Sequence, residues 1–104
     1  MKLLTKADTA RLPKLGSTDG QPHETRPIII KFFHCMSNWT WYVLEGEQLP
    51  SGDWEFYGLV RGDEVELGPF MLSELESVRL HGLPIERDMH FGNHTLAEAE
   101  KERI

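Results

Sequence analysis

Residues Phe56–Phe70, "FYGLVRGDEVELGPF", decide the fold of this chain. Two runs that alternate apolar and polar residues flank Gly62-Asp63, a pairing suited to a two-residue type II′ turn with glycine at its first central position. That turn predicts a register with Arg61 opposite Glu64, Val60 opposite Val65, Leu59 opposite Glu66 and Gly58 opposite Leu67. The first pair is a charge match on an outer face and the second an apolar match on an inner one. Trp54, Phe56 and Val60 then share one face with Val65, Leu67 and Met71. The "RGD" at Arg61–Asp63 is the chemistry of a tight turn and not an adhesion signal.

Upstream, "IIIKFF" (Ile28–Phe33) is β-branched and aromatic and too short for an independent helix. Asn38–Leu44 forms the next strand, with Trp39, Trp41 and Val43 on one face and Asn38, Thr40, Tyr42 and Leu44 on the other. A turn-rich loop from Gly46 to Gly52 leads into Asp53–Arg61. Eight of the ten aromatic residues lie between Phe32 and Tyr57, inside these alternating strands. The tryptophans of "SNWTWY" (Ser37–Tyr42) therefore read as core residues, with a partner-facing surface as the alternative.

The fold class expected is α+β, a four-stranded antiparallel meander over residues 27–71 packed with two or three short helices, in a single domain of residues 1–104. Thr5 with Asp8 caps a helix within 1–15 that Pro13 ends. Ser73 with Glu76 forms a capping box for a helix over 73–81, stopped by Gly82 and Pro84. Thr95 with Glu98 opens a last helix over 95–104, whose narrow apolar face of Leu96, Ala99 and Ile104 predicts fraying. Residues 16–26 read as a loop.

Composition narrows the setting. One cysteine cannot make an internal bridge, and no stretch has the run of apolar residues that a membrane span or signal core needs, so a cytoplasmic chain is expected. The net charge of -6 is uneven: residues 1–44 carry six Lys/Arg against three acids, and residues 45–104 carry five against fourteen. Carboxylates around the aromatic strands disfavour a base-stacking platform and direct nucleic-acid binding, and suit a basic partner.

Catalytic patterns are thin. His90 and His94 have the spacing of a zinc pair, but Gly92-Asn93 favours a turn between them, and no metal or other cofactor is expected. Glu64/Glu66 and Glu86/Asp88 are spaced to share a strand face, where such pairs are ordinarily solvated. His34 and Cys35 are neighbours on an extended segment and point apart, so Cys35 reads as a buried or half-buried, unreactive thiol. No phosphate-binding glycine loop is present. An enzyme built on His34, Cys35 or the His90/His94 pair is the least supported class, and no catalytic residue is assigned.

"MKLLTK", "KFF" with "SNWTWY", "FYGLVRGDEVELGPFMLSELESVR" and "GLPIERD" together resemble a bacterial family known as domain of unknown function 2958, from Met1 to about Phe91. The resemblance implies a small accessory protein of plasmids, integrative elements or phages, found near antirestriction and conjugation genes, and supplies no catalytic residues. It implies a non-enzymatic inhibitor of a host defence complex of the CRISPR–Cas or restriction type, whose partner is a basic protein or nucleoprotein complex, with no membrane involved. The expected contact residues are Tyr42, Glu55, Tyr57, Leu59, Glu64 and Glu66, an apolar strip edged with carboxylates on the outer face of the sheet. The alternative is a plasmid maintenance or conjugation factor that touches nucleic acid through its basic first third, Lys2, Lys6, Arg11 and Lys14.

Overall fold

Alternating apolar residues build strands β1 (Ile30–Phe33), β2 (Thr40–Gln48), β3 (Trp54–Arg61) and β4 (Val65–Met71), and Glu86–Arg87 adds a short β5. The computed structural model describes residues 2–104; Met1, part of the expected span 1–15, lies outside them. The strands form one antiparallel sheet in the order β4-β3-β2-β1-β5, so the sheet has five strands rather than four: the meander β1–β4, and β5 added beside β1 by a crossover. β5 pairs with Phe32 and Phe33, and the Asp88 N–H extends the ladder to the Lys31 carbonyl at 3.0 Å. A strand of two residues carries no alternation to read.

Both faces of the sheet are covered. On the first, Ile30, Phe32, Val43, Phe56 and Phe70 pack with Leu3, Leu75 and Ile85. On the second, Tyr42, Leu44 and Leu59 pack beneath Leu96 and Ala99 of α3 (Leu96–Lys101). The Tyr42 hydroxyl fixes the end of the chain, donating to the Ile104 carbonyl at 2.9 Å and accepting from its N–H at 3.1 Å. The Arg61 guanidinium donates to the Ala99 carbonyl at 2.8 Å, placing a cation at the C-terminal end of α3.

The β3–β4 register differs from the expected one by a residue. Val60 faces Glu66, Leu59 faces Leu67, and Phe56 faces Phe70. Gly62, Asp63 and Glu64 form a three-residue connection, and Gly62 lacks the positive φ that a type II′ turn requires at its first central position. Phe70 explains the shift. Its ring lies 5.7 Å from that of Phe56 and is buried, whereas the tighter turn would put it opposite Glu55 on the other face. Burying a phenylalanine is worth about 1.5–3 kcal/mol, more than a turn preference. Glu66 consequently lies on the face of Val60 and Trp41, and Val65, Leu67 and Met71 lie on the face of Leu59 and Arg61.

A bulge at Leu44 redirects β2. Val43 faces Gly58 and Glu45 faces Tyr57, so Leu44 and Glu45 both turn toward the second face. Glu45 is buried there. It accepts from the N–H groups of Gly16 and Thr18 at 2.7 and 2.8 Å, from the Thr18 hydroxyl, and from Arg26 at 3.0 Å. The 16–26 loop is thus stapled to the sheet by a carboxylate, with Arg26 itself buried. Gly58 sits where the β2 backbone comes closest: a Cβ on it would stand 2.0 Å from the Tyr42 carbonyl oxygen.

A second buried carboxylate secures α1 (Lys6–Arg11) on the opposite face. Asp8 closes the expected capping box with Thr5 and also takes a two-pronged contact from Arg87 of β5 and a 3.1 Å contact from Arg11. α2 spans Leu72–Ser77, shorter than the expected 73–81. Ser73 lies inside its first turn instead of capping it. Asp53 accepts from the Ser73 N–H at 3.1 Å and from its hydroxyl at 2.5 Å, and Glu74 rather than Glu76 accepts from the Met71 N–H. After Val78, Leu80 and Leu83 exchange two backbone bonds around His81 and Gly82, both at positive φ, so "LHGL" is a tight hairpin turn.

Two expectations follow. Gly58→Ala forces the β2 backbone aside and destabilises the protein by about 3 kcal/mol or more, read as a fall in the urea midpoint; a change under about 0.5 kcal/mol contradicts the close approach. Burial pushes the carboxyls of Asp8 and Glu45 upward, but hydrogen bonds and their arginine partners outweigh it, leaving both below their ordinary values of 3.8 and 4.5. A lowered folded-state value gives stability that is complete above the ordinary value and is lost as pH falls through the lowered one. Stability is therefore level at neutral pH and declines below about pH 4.5, and Glu45→Gln flattens that acid limb while costing about 3–5 kcal/mol at pH 7 by leaving Arg26 buried and unpaired. Denaturation curves collected from pH 7 to pH 2 check both parts.

Candidate functional site

The β1–β2 connection brings the chain back at Trp39, one residue before β2 begins. Trp41 points to the first face and packs half-buried against the core there. Trp39 stays 37% exposed and leans on Trp41, with ring centroids 5.9 Å apart and planes at 31°. Its six-membered ring passes over the β3–β4 turn, so a Cβ on Gly62 would come within 2.6 Å of three of its carbons. Of the paired tryptophans, one is core and the other surface.

The shifted register places the acids beside that exposed indole. Trp39, Val60, Asp63, Glu64 and Glu66 line an open cavity of about 360 Å³ at this end of the sheet. Glu64 and Glu66 crowd each other. The Glu64 carboxylate, by accepting a hydrogen bond from the protonated Glu66 carboxyl and by its charge, raises Glu66 above its ordinary 4.5. Among the described residues, no Lys, Arg or His lies within salt-bridge distance of Asp63, Glu64 or Glu66. The neighbouring cations are occupied: Arg61 crosses to α3, and Arg103 donates to the Asn38 side-chain oxygen at 3.0 Å.

The six residues expected to form one contact strip do not share a surface. Tyr42 and Leu59 are buried beneath α3. Tyr57 is half-buried on that same face, with the Arg26 guanidinium 5.8 Å from its ring centre. Glu55, half-buried, lies between Glu47 and Met71 at the far end of β3. Glu64 and Glu66 are exposed, and Glu66 is on the opposite face. The expected strip is closed by the last helix, whose few apolar residues suffice because Arg61 binds its backbone at Ala99 and Tyr42 binds the chain beyond it at Ile104.

The other chemistry-bearing residues have structural partners. His34 is buried, with Nε2 donating to the Leu83 carbonyl at 3.0 Å and Nδ1 accepting from the Met36 N–H at 3.2 Å. Both bonds are satisfied by one neutral tautomer. Cys35, expected to be buried or half-buried, is exposed. His94 is paired with Glu98 at 3.0 Å and packs on Phe91. No group of three or more His, Cys, Asp or Glu side chains is placed to hold a metal among the described residues. A second open cavity, of about 730 Å³, lies at the other end of the molecule, where Lys2 and Lys6 flank Leu4, Trp54 and Leu72. Among the described residues, no helix is long and apolar enough to cross a membrane.

A family model described as "Protein of unknown function (DUF2958)" matches residues 3–100. The chain belongs to that family. No curated protein and no solved structure is similar enough to the chain to count as a match. For this DUF2958 protein the site must be argued from its own side chains. Trp39 was visible in the sequence as an aromatic residue, but it precedes β2 instead of lying within it, and Glu66 reaches its side of the sheet only through a turn register that the glycine signal obscured.

Gly62→Ala separates the site from the fold. The added methyl displaces the exposed Trp39 ring, changing its indole NMR signal, while the midpoint of unfolding moves by no more than about 0.5 kcal/mol because the far end of an exposed side chain gives way. An unchanged Trp39 signal contradicts the packing described.

Proposed function

We propose that this DUF2958 protein acts by binding, not catalysis, and that the Trp39–Glu66 end of its sheet docks onto a cationic surface of a partner protein or nucleoprotein complex in the cytoplasm. The observation that carries this reading is the cavity where an exposed tryptophan adjoins three carboxylate residues that, among the described residues, have no cation within salt-bridge distance. Tryptophan supplies apolar contact area, and carboxylates steer a basic surface into place and set its orientation. His34 is engaged by the Leu83 carbonyl and the Met36 N–H, and His94 is paired with Glu98, so neither serves as a base for the exposed Cys35 of the β1–β2 connection.

The role proposed for this surface is stoichiometric inhibition of a host defence complex of the CRISPR–Cas or restriction type, as a mobile-element protein would exert. Such complexes hold nucleic acid in Lys/Arg-lined channels, and an acidic surface competes for those cations. Glu64→Lys with Glu66→Lys is expected to reduce affinity for the partner by roughly a hundredfold and to flatten the dependence of binding on salt. Asp19→Lys with Glu24→Lys, which makes the same charge change on the remote 16–26 loop, is the control. Equal losses in the two double variants, or no loss in the first, contradict the assignment of this surface.

A second reading rests on the basic groove at the opposite end, where Lys2 and Lys6 flank Trp54. It makes the protein a plasmid maintenance or conjugation factor that touches nucleic acid. Arg11 is already committed to Asp8, which leaves Lys2, Lys6 and Lys14 as the free cations of the expected basic set. Three phosphate contacts give a shallow salt slope, so weak binding with a steep slope in a gel-shift titration argues against this groove as the contact.

A further inference from the structure

We infer that the Trp39 cavity receives one arginine side chain of the partner, stacked against the indole and held by the Glu64 and Glu66 carboxylates. The inference rests on the proposed function and specifies its central contact. The size of the cavity, its aromatic wall and its paired acids select a guanidinium.

The cavity, at about 360 Å³, is at the small end of the range that ligand pockets occupy, and suits a side chain better than a cofactor. Its apolar wall is the partly exposed indole of Trp39, and planar weakly hydrated cations pack favourably on such aromatic groups. Its acidic rim is Glu64 and Glu66, two positions apart in the sequence and both lining the cavity, which offers neighbouring acceptors to a forked donor. A lysine ammonium is a compact, strongly hydrated point charge and uses neither the plane nor the fork.

The acids are also poised for a cation. With no Lys, Arg or His of the described residues within salt-bridge distance, the Glu64/Glu66 pair is open to a partner's cation, and the entering charge relieves their mutual repulsion. The Trp39 ring is already seated on Gly62 and against Trp41, so stacking on its open side orders little that was not ordered before.

The test is an NMR titration of the full-length protein, labelled with ¹⁵N, using Nα-acetyl-arginine amide, Nα-acetyl-lysine amide and sodium chloride. The arginine compound is expected to move the Trp39 indole N–H and the Glu64–Glu66 amides saturably, with a Kd on the order of a millimolar, and the lysine compound to bind several-fold more weakly. Glu64→Gln with Glu66→Gln is expected to weaken arginine binding roughly tenfold, and Trp39→Leu to weaken it while abolishing the preference over lysine. Equal shifts with arginine, lysine and salt, or shifts centred away from Trp39, overturn the inference. The proposed function fails by a different result, partner affinity that survives Glu64→Lys with Glu66→Lys, so the two failures are distinguishable.

Discussion

The pairing of Phe56 with Phe70 governs what this molecule presents to its surroundings. Because strand residues alternate sides, fixing those two rings on the first face fixes every other residue of β4. Leu67 then falls against Leu59 under the last helix, and Glu66 falls beside Val60 near Trp39. A slip of one residue would reverse this, driving a carboxylate under α3 and exposing Phe70. The acidic, aromatic end of the sheet is therefore a consequence of core packing carried along a strand.

Two buried carboxylates extend that order to the segments on either side. Asp8 joins α1 to β5 through Arg87, and Glu45 joins the 16–26 loop to β2 through Arg26. Breaking such a pair leaves a charge without water or partner, which makes each a strong constraint on where its loop sits even though an apolar pair could be as stable. With these segments fixed and α3 held by Tyr42 and Arg61, both broad faces of the sheet are closed. What stays open lies at the ends and edges, where Trp39 remains exposed.

Much of the scaffold was legible in the sequence. The three long strands β2, β3 and β4, the α+β class, the Thr5 cap and the Thr95/Glu98 capping box follow from alternation and short-range spacing, and all are present. The failures share a cause: each needed information from distant parts of the chain. Gly62-Asp63 carries a strong local turn signal, yet the aromatic contact of Phe70 outweighs it. Ser73 and Glu76 have the spacing of a capping box, yet Asp53, twenty positions away, occupies the helix start. The burial of Glu45 depends on Arg26 and the 16–26 loop, and nothing adjacent to Glu45 announces it. The contact strip was misread for the same reason, since covering Tyr42 and Leu59 required Leu96, Ala99 and Ile104 to fold back from the far end of the chain.

The hairpin register is the claim on which the site depends, and cross-strand nuclear Overhauser effects test it most directly. The structure predicts contacts linking Val60 with Glu66 and Leu59 with Leu67, together with side-chain contacts between Phe56 and Phe70. Contacts linking Val60 with Val65 and Leu59 with Glu66 would contradict it, moving Glu66 to the α3 face and dissolving the Trp39 site.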